Sequence, residues 1–250
     1  MEQQRVALVT GAGSGIGRAA AVRLSEAYVV VLAGRRTPPL QETAALIEAG
    51  GGSSWPRTCD VSDVEAVATL FTEVEARHGR LDLLFNNAGY GPPKARLDEI
   101  ELRHWKRTLD VNVTGSFLCA QAAFRLMRRQ DPPGGRIINN GSVASQTPRP
   151  WQGAYTASKH ALSGLTKALS LDGRPFGIAC GQIDIGNAAT GQVGEMARGM
   201  MQADGSVRPE PTMDLDAVAE AVWLMARLPL EAHVQSMTVL ASGMPFVGRG

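Results

Sequence analysis

Tyr155 and Lys159 stand four residues apart in a helically patterned stretch, and Ser142 precedes them just past a short apolar run at residues 136–140. A spacing of four puts both side chains on one helix face. There an ammonium beside a phenol favours the phenolate, which makes the tyrosine a usable proton donor or acceptor. Ser142 falls at the carboxyl edge of a strand, where α/β sheets bind ligands, and its hydroxyl suits a substrate oxygen. Each residue alone says little, since a Tyr and a Lys at helical spacing are most often a surface pair. Together they supply the groups that a proton-coupled reaction at a carbon–oxygen bond requires.

A second pattern opens the chain. Thr10-Gly11-Ala12-Gly13-Ser14-Gly15-Ile16-Gly17 lies between the first apolar run and the first helical stretch. Gly11 permits a tight turn, Gly15 lets backbone approach a diphosphate, and Gly17 lets helix and strand pack closely. Ser14 and Ile16 sit at the helix N-terminus that faces such a charge. A plain glycine-rich turn is the alternative, and the position between strand and helix favours dinucleotide binding. About 20 residues further on, NAD-binding units place an acidic residue on the adenosine ribose. This chain offers Gly34-Arg35-Arg36 there. Two guanidiniums suit a 2′-phosphate, so NADP is expected in preference to NAD, with a solvated basic turn as the alternative.

The elements that must position these groups alternate. Strands are expected at 5–10, 29–33, a run ending near 59–61, 81–85, 136–140, 178–183 and 236–240, and helices at 16–27, 40–49, 62–78, 97–127, 151–171 and 215–228. Ser62 with Glu65 matches a capping box for the third helix. Alternation of this kind implies an α/β fold: one domain over residues 1–250, a doubly wound (Rossmann) parallel sheet with helices on both faces. Segment 186–213 is the exception. It is rich in Gly and carries Met196, Met200, Met201 and Met213, which suits a lid over an apolar ligand better than a merely solvated loop.

Composition narrows the partners. The 250 residues carry a formal net charge of +1, so neither a nucleic-acid footprint nor a polybasic membrane patch is expected. Cys59, Cys119 and Cys180 are odd in number and lie in apolar segments, which disfavours a disulfide framework or a metal site. With no apolar leader at the start and no run of membrane-spanning length, cytoplasm is the expected location.

In this order, Thr10 to Gly17, Asn86-Asn87-Ala88-Gly89, Asn112, Ser142, Tyr155 and Lys159 resemble the short-chain dehydrogenase/reductase family over essentially the whole chain. The resemblance implies an oxidoreductase that moves a hydride between NADP(H), or NAD(H), and a small carbonyl or alcohol. It implies that Tyr155 is the general acid/base, that Lys159 binds the nicotinamide ribose and tunes Tyr155, that Ser142 positions the carbonyl, and that Asn112 holds a water relaying protons from Lys159. It places Asp60 and Val61 at the adenine and the Asn87, Ala88 and Gly89 backbone beside the cofactor. A homotetramer or homodimer is implied, with helix 151–171 and the last helix and strand at interfaces.

Three departures from the family pattern stand out. Where Pro-Gly-x-Val-x-Thr is usual, this chain reads Ile185-Gly186-Asn187-Ala188-Ala189-Thr190, a register that leaves Gly186, Ala188 and Thr190 beside the nicotinamide carboxamide. Asp184 adjoins it, and as a buried carboxylate it is expected to be satisfied locally. The turn at 25–29 lacks the glycine that usually follows a helix, which bears on the register of the second strand. Gly141 stands where serine is frequent and is expected to loosen the backbone there. Tyr90, Pro92, Pro93, Gln146, Arg149, Trp151, Asn187, Met196 and Met200 are candidate substrate walls, with Arg149, Trp151 and Asn187 expected to bind substrate beside Ser142. Two rivals differ in class: a catalytically idle dinucleotide-binding sensor or scaffold, against which the intact Ser142, Tyr155 and Lys159 argue, and a sugar-nucleotide epimerase or dehydratase, which the short C-terminal portion disfavours.

Overall fold

The apolar runs become parallel strands covered on both faces, as near-continuous hydrophobic strands must be. In the computed structural model, which describes residues 4–190 and 199–247, β1 (Val6–Thr10), β2 (Val29–Gly34), β3 (Ser53–Thr58), β4 (Leu83–Asn86), β5 (Gly135–Asn140), β6 (Ile178–Ile185) and β9 (Ser236–Val239) form one sheet in the order β3-β2-β1-β4-β5-β6-β9. All pairings in it are parallel. The chain leaves β1 towards β2 and β3, then returns to β4 on the other side of β1. That reversal opens a crevice at the carboxyl ends of β1 and β4, the place where such sheets take ligands.

One core packs α1 (Gly15–Leu24) and the last helix, α7 (Leu215–Arg227), on one face through Ala20, Leu24, Val222 and Met225 against Val30, Leu32 and Phe85. The other face carries α3 (Val64–His78) and α5 (Ser116–Arg129), with Leu70, Val74, Cys119 and Met127 against Leu8, Leu84 and Ile137. Helices α2 (Thr37–Ala49), α4 (Leu102–Leu109) and α6 (Gly153–Gly173) complete the layers.

Local chemistry moves several expected boundaries. The cap of α3 is Asp63, not Ser62: the Asp63 carboxylate accepts from the Glu65 and Ala66 amides at 2.9 and 3.1 Å. Ser62 is drawn back instead, its amide and hydroxyl both donating to Asp60 Oδ1. The expected helix 97–127 is broken into a 3₁₀ turn (Leu97–Glu99), α4, a π-helical turn (Asp110–Gly115) and α5. Trp151 adopts a left-handed backbone (φ 63°), so α6 starts only at Gly153. The turn after α1 needs no glycine, because Ser25 stays helical (φ −64°), and β2 pairs Val29 with Val6 through Ala33 with Thr10. Strand two therefore ends at Gly34, with Arg35 and Arg36 immediately beyond it.

Candidate active site

A cleft of about 980 Å³ opens at the carboxyl ends of the strands. The whole set expected to hold a dinucleotide lines it: Gly11, Ser14, Gly15, Ile16 and Gly17; Arg35 and Arg36; Asp60 and Val61; Asn87, Ala88 and Gly89; Tyr155 and Lys159; Gly186, Ala188 and Thr190. Ser142 lines it too, and Asn112 does not.

The glycine turn is shaped by two constraints. Gly11 takes φ 67° and Gly15 φ 52°, the left-handed region that glycine enters freely. Gly17 has ordinary backbone angles, but a Cβ there would sit 2.5 Å from Asn87 Nδ2 and 2.8 Å from the Gly11 carbonyl carbon. Thr10 Oγ1 accepts from the Asn87 and Ala88 amides, both at 2.9 Å, and Asn140 Nδ2 donates to Asn87 Oδ1 at 2.9 Å. These bonds stitch the ends of β1, β4 and β5 into one floor. The Ser14 side chain makes no cap bond, so the first amides of α1 face the cleft as an anion-binding helix terminus does.

At the far end of the floor, Arg35 and Arg36 are exposed where β2 stops, and Arg107 of α4 joins them on the cleft wall. Burial pushes the Asp60 carboxyl up. The Ser62 hydroxyl and amide, then Arg35 and Arg107, pull the other way and hold it below the ordinary carboxylate range. Arg107, with its guanidinium 5.2 Å from the Tyr90 ring centroid, had no signal in the sequence, since it lies among Arg103 and Lys106 on a charged surface helix.

Ser142, Tyr155 and Lys159 share the opposite wall. Lys159 is buried and donates from Nζ to the Asn140 carbonyl at 2.6 Å, with Nζ 5.6 Å from the Tyr155 ring centroid. Ser142 Oγ accepts from the Ala144 amide at 3.1 Å and keeps its own proton for another acceptor. The Asn112 side chain joins two elements of this wall. Its Oδ1 accepts from the Tyr90 amide at 2.7 Å, and its Nδ2 donates to the Tyr90 carbonyl and to Ser158 Oγ at 3.1 and 3.0 Å. Both amide protons are committed to protein, so the side chain ties the loop after β4 to α6 and can meet a relaying water only as an acceptor.

The residues expected to meet the substrate are tied into the wall by their own bonds. Arg149, Trp151 and Asn187 line the cleft, and the Arg149 side chain is 12% exposed and ion-paired with Glu210, which is 2% exposed. Arg149 also donates to Asn187 Oδ1 at 2.9 Å, while Asn187 Nδ2 donates to Glu210 Oε2 at 2.7 Å. Glu210 was missed because nothing in a Pro-flanked acid shows that it will be buried. Tyr90, Pro92, Pro93 and Met200 line the cleft as expected. Gln146 instead donates to Asp184 Oδ2 at 2.9 Å. Within segment 186–213, Met200–Met201 and Val207–Arg208 form a small antiparallel ladder, β7 and β8; Met196 lies outside the described residues.

All three cysteines are buried and unpaired. Burial, followed by Asp60 and Asp63, pushes the Cys59 thiol up to about 11, and burial pushes Cys180 up to about 12 and Cys119 higher still. None is thiolate at neutral pH, so a chromogenic thiol reagent is expected to find no fast-reacting group in the native protein and three after unfolding. A rapid native reaction at any of them would contradict the burial.

A family model described as short chain dehydrogenase matches residues 5–200. A 3beta-hydroxysteroid dehydrogenase of Mediterraneibacter gnavus is 41% identical over 181 residues, 72% of this chain and 64% of that protein's length. Among solved structures, an acetoin dehydrogenase from Enterobacter cloacae matches with a TM-score of 0.82 at 30% identity, covering 96% of this chain and 95% of that one. An alcohol dehydrogenase from Thermococcus sibiricus, complexed with 5-hydroxy-NADP, matches with a TM-score of 0.80 at 26% identity over 94% and 95%. The chain belongs to the short-chain dehydrogenase/reductase family. The class is that of oxidoreductases acting on CH–OH and C=O groups.

Proposed function

We propose that this protein binds a nicotinamide dinucleotide, NADP(H) in preference to NAD(H), and interconverts a small carbonyl compound and its alcohol. The observation that carries the reading is that Ser142, Tyr155 and Lys159 share one cleft with the glycine turn of α1. The residues present fit such a cofactor. The turn leaves room for a diphosphate against uncapped helix amides, and Arg35 and Arg36 stand where an adenosine 2′-phosphate would end. The structural relative from Thermococcus sibiricus carries an NADP derivative, which supports the same choice. When bound, the nicotinamide supplies or accepts the hydride.

This chain's residues handle the rest. Ser142 donates its hydroxyl proton to the substrate oxygen and holds it. Tyr155 gives its phenolic proton to that oxygen in reduction and takes it back in oxidation. Lys159, fixed by the Asn140 carbonyl, keeps a positive charge beside the Tyr155 ring as the phenolate forms. The domain works as one unit, with the described parts of segment 186–213, residues 186–190 and 199–213, as the lid over the substrate, and residues 191–198 lie outside the described residues. Exposed apolar side chains at Leu102, Phe117 and Leu171 support a homo-oligomer, and three unpaired thiols suit the cytoplasm.

Fluorescence titration with NADPH and NADH tests the cofactor assignment. NADPH is expected to bind more tightly, and Arg35→Ala and Arg36→Ala are each expected to weaken it about tenfold, roughly 1.4 kcal/mol, while leaving NADH nearly unchanged. Equal loss for both nucleotides would move the arginines away from the 2′-phosphate.

A further inference from the structure

Gly141 and Asp184, the acid that adjoins the 185–190 departure, meet in space. Asp184 on β6 is 2% exposed and receives three donors: the Ser142 amide on Oδ1 at 2.9 Å, Gln182 Nε2 on the same oxygen at 2.7 Å, and Gln146 Nε2 on Oδ2 at 2.9 Å. Gln146 and Ser142 bracket the 3₁₀ turn Val143–Ser145, so one carboxylate grips the active-site loop at both ends. Gly141 does not loosen this backbone. A Cβ at Gly141 would collide with Asp184 Oδ1 and stand 2.7 Å from Gln182 Nε2. Glycine is needed there because the carboxylate fills the space a side chain would take.

The carboxylate is also anchored from below. Gln182 donates to Ser163 Oγ at 2.9 Å and accepts from Thr166 Oγ1 at 3.1 Å, and Asn139 Nδ2 donates to Thr166 Oγ1 at 2.9 Å. Asn86 Nδ2 in turn donates to Asn139 Oδ1 at 3.0 Å. A buried chain of hydrogen bonds thus runs from β4 through β5 and α6 to β6 and ends on the Ser142 amide. Thr166 Oγ1 shares its one proton between the Leu162 carbonyl at 2.8 Å and Gln182 Oε1, and buried networks of this kind add rigidity to the loop they end on.

We infer that Asp184 is a positioning residue: it fixes Ser142 for the substrate oxygen through the Ser142 amide and Gln146, and Gly141 is its obligatory partner. The inference rests on the proposed role of Ser142. With Asp184→Asn, the isostere presents an NH₂ to the Gln146 NH₂ where the parent presented an acceptor, so Gln146 must turn over or leave. A small displacement of Ser142 is then expected to lower kcat roughly tenfold, with KM changed far less.

A double-mutant cycle reads this out. If Asp184 acts through the Ser142 hydroxyl, Asp184→Asn should cost less than about twofold in a Ser142→Ala background, since groups acting in series do not add. NADPH affinity should stay within about twofold throughout, because Asp184 touches no residue of the glycine turn. The second arm does not depend on residual turnover after loss of Ser142. Gly141→Ala should lower both kcat and Tm, and adding Asp184→Ala to it should cause no further loss and recover part of the Tm, as the collision is relieved.

The outcomes separate cleanly. A silent Ser142→Ala overturns the functional reading and this inference with it. A damaging Ser142→Ala combined with a fully additive Asp184→Asn overturns the inference alone. A Gly141→Ala variant as active and stable as the parent, or a double variant worse than Gly141→Ala, overturns the partnership of Gly141 and Asp184.

Discussion

Replacing Tyr155 by Phe is expected to lower kcat by about 10²–10⁴-fold, the usual worth of a positioned general acid or base, with little change in NADPH affinity. The substitution removes one oxygen and keeps the ring. Lys159 retains its bond to the Asn140 carbonyl and its place beside that ring, so neither the fold nor the cofactor floor loses a contact. The loss should fall on kcat and on kcat/KM alike, as it does when a removed group acts only in the transition state. Steady-state kinetics on a panel of ketones and secondary alcohols, with NADPH titration on the same samples, makes the comparison. A phenylalanine variant within tenfold of the parent would take the proton-transfer role away from Tyr155. Unchanged cofactor binding without turnover in the parent, across a broad panel, would instead favour an idle dinucleotide binder.

Much of this site was legible in the sequence because its signals are local. The glycine turn, the Tyr155 and Lys159 pair and the strand alternation each depend on spacings within one or two elements. What was not legible depends on which side chains meet across elements. Nothing at Asn112 itself shows that Tyr90 and Ser158 will consume its amide protons. Asp63 outcompeted Ser62 as the α3 cap because Asp60 had already recruited the Ser62 hydroxyl, a competition among neighbours that a capping pattern does not resolve. The π-helical turn at Asp110–Gly115 reads as plain helix in hydrophobic periodicity, and its extra residue is visible only in the backbone. Gly141 was misjudged for the same reason: as a lone glycine it suggests looseness, whereas beside Asp184 it marks close packing.

The Arg149 and Glu210 pair carries the largest expected effect on stability. Among the described residues, Glu210 is ion-paired with Arg149, accepts from Asn187 Nδ2 at 2.7 Å, and accepts from Gln202 Nε2 at 2.9 Å. It thereby pins the return arm of segment 186–213, including Met200 on the cleft wall, to the loop that follows Ser142. Removing Glu210 takes the ion-pair partner from a largely buried Arg149, which keeps only its hydrogen bond to Asn187 Oδ1 among the bonds described above, and breaking a buried pair in this way costs about 3–5 kcal/mol. Glu210→Ala is therefore expected to lower Tm by roughly 10 °C and to raise the substrate KM as the cleft wall slackens, with NADPH affinity little changed. Arg149→Ala should be destabilising in its own right. The double variant should lose clearly less than the sum, because the two side chains are directly paired and each single substitution already forfeits that shared interaction. Thermal unfolding of the four proteins decides it. Strict additivity would mean that the two side chains stabilise the chain independently, and that the arm is held to the active-site loop by something other than this ion pair.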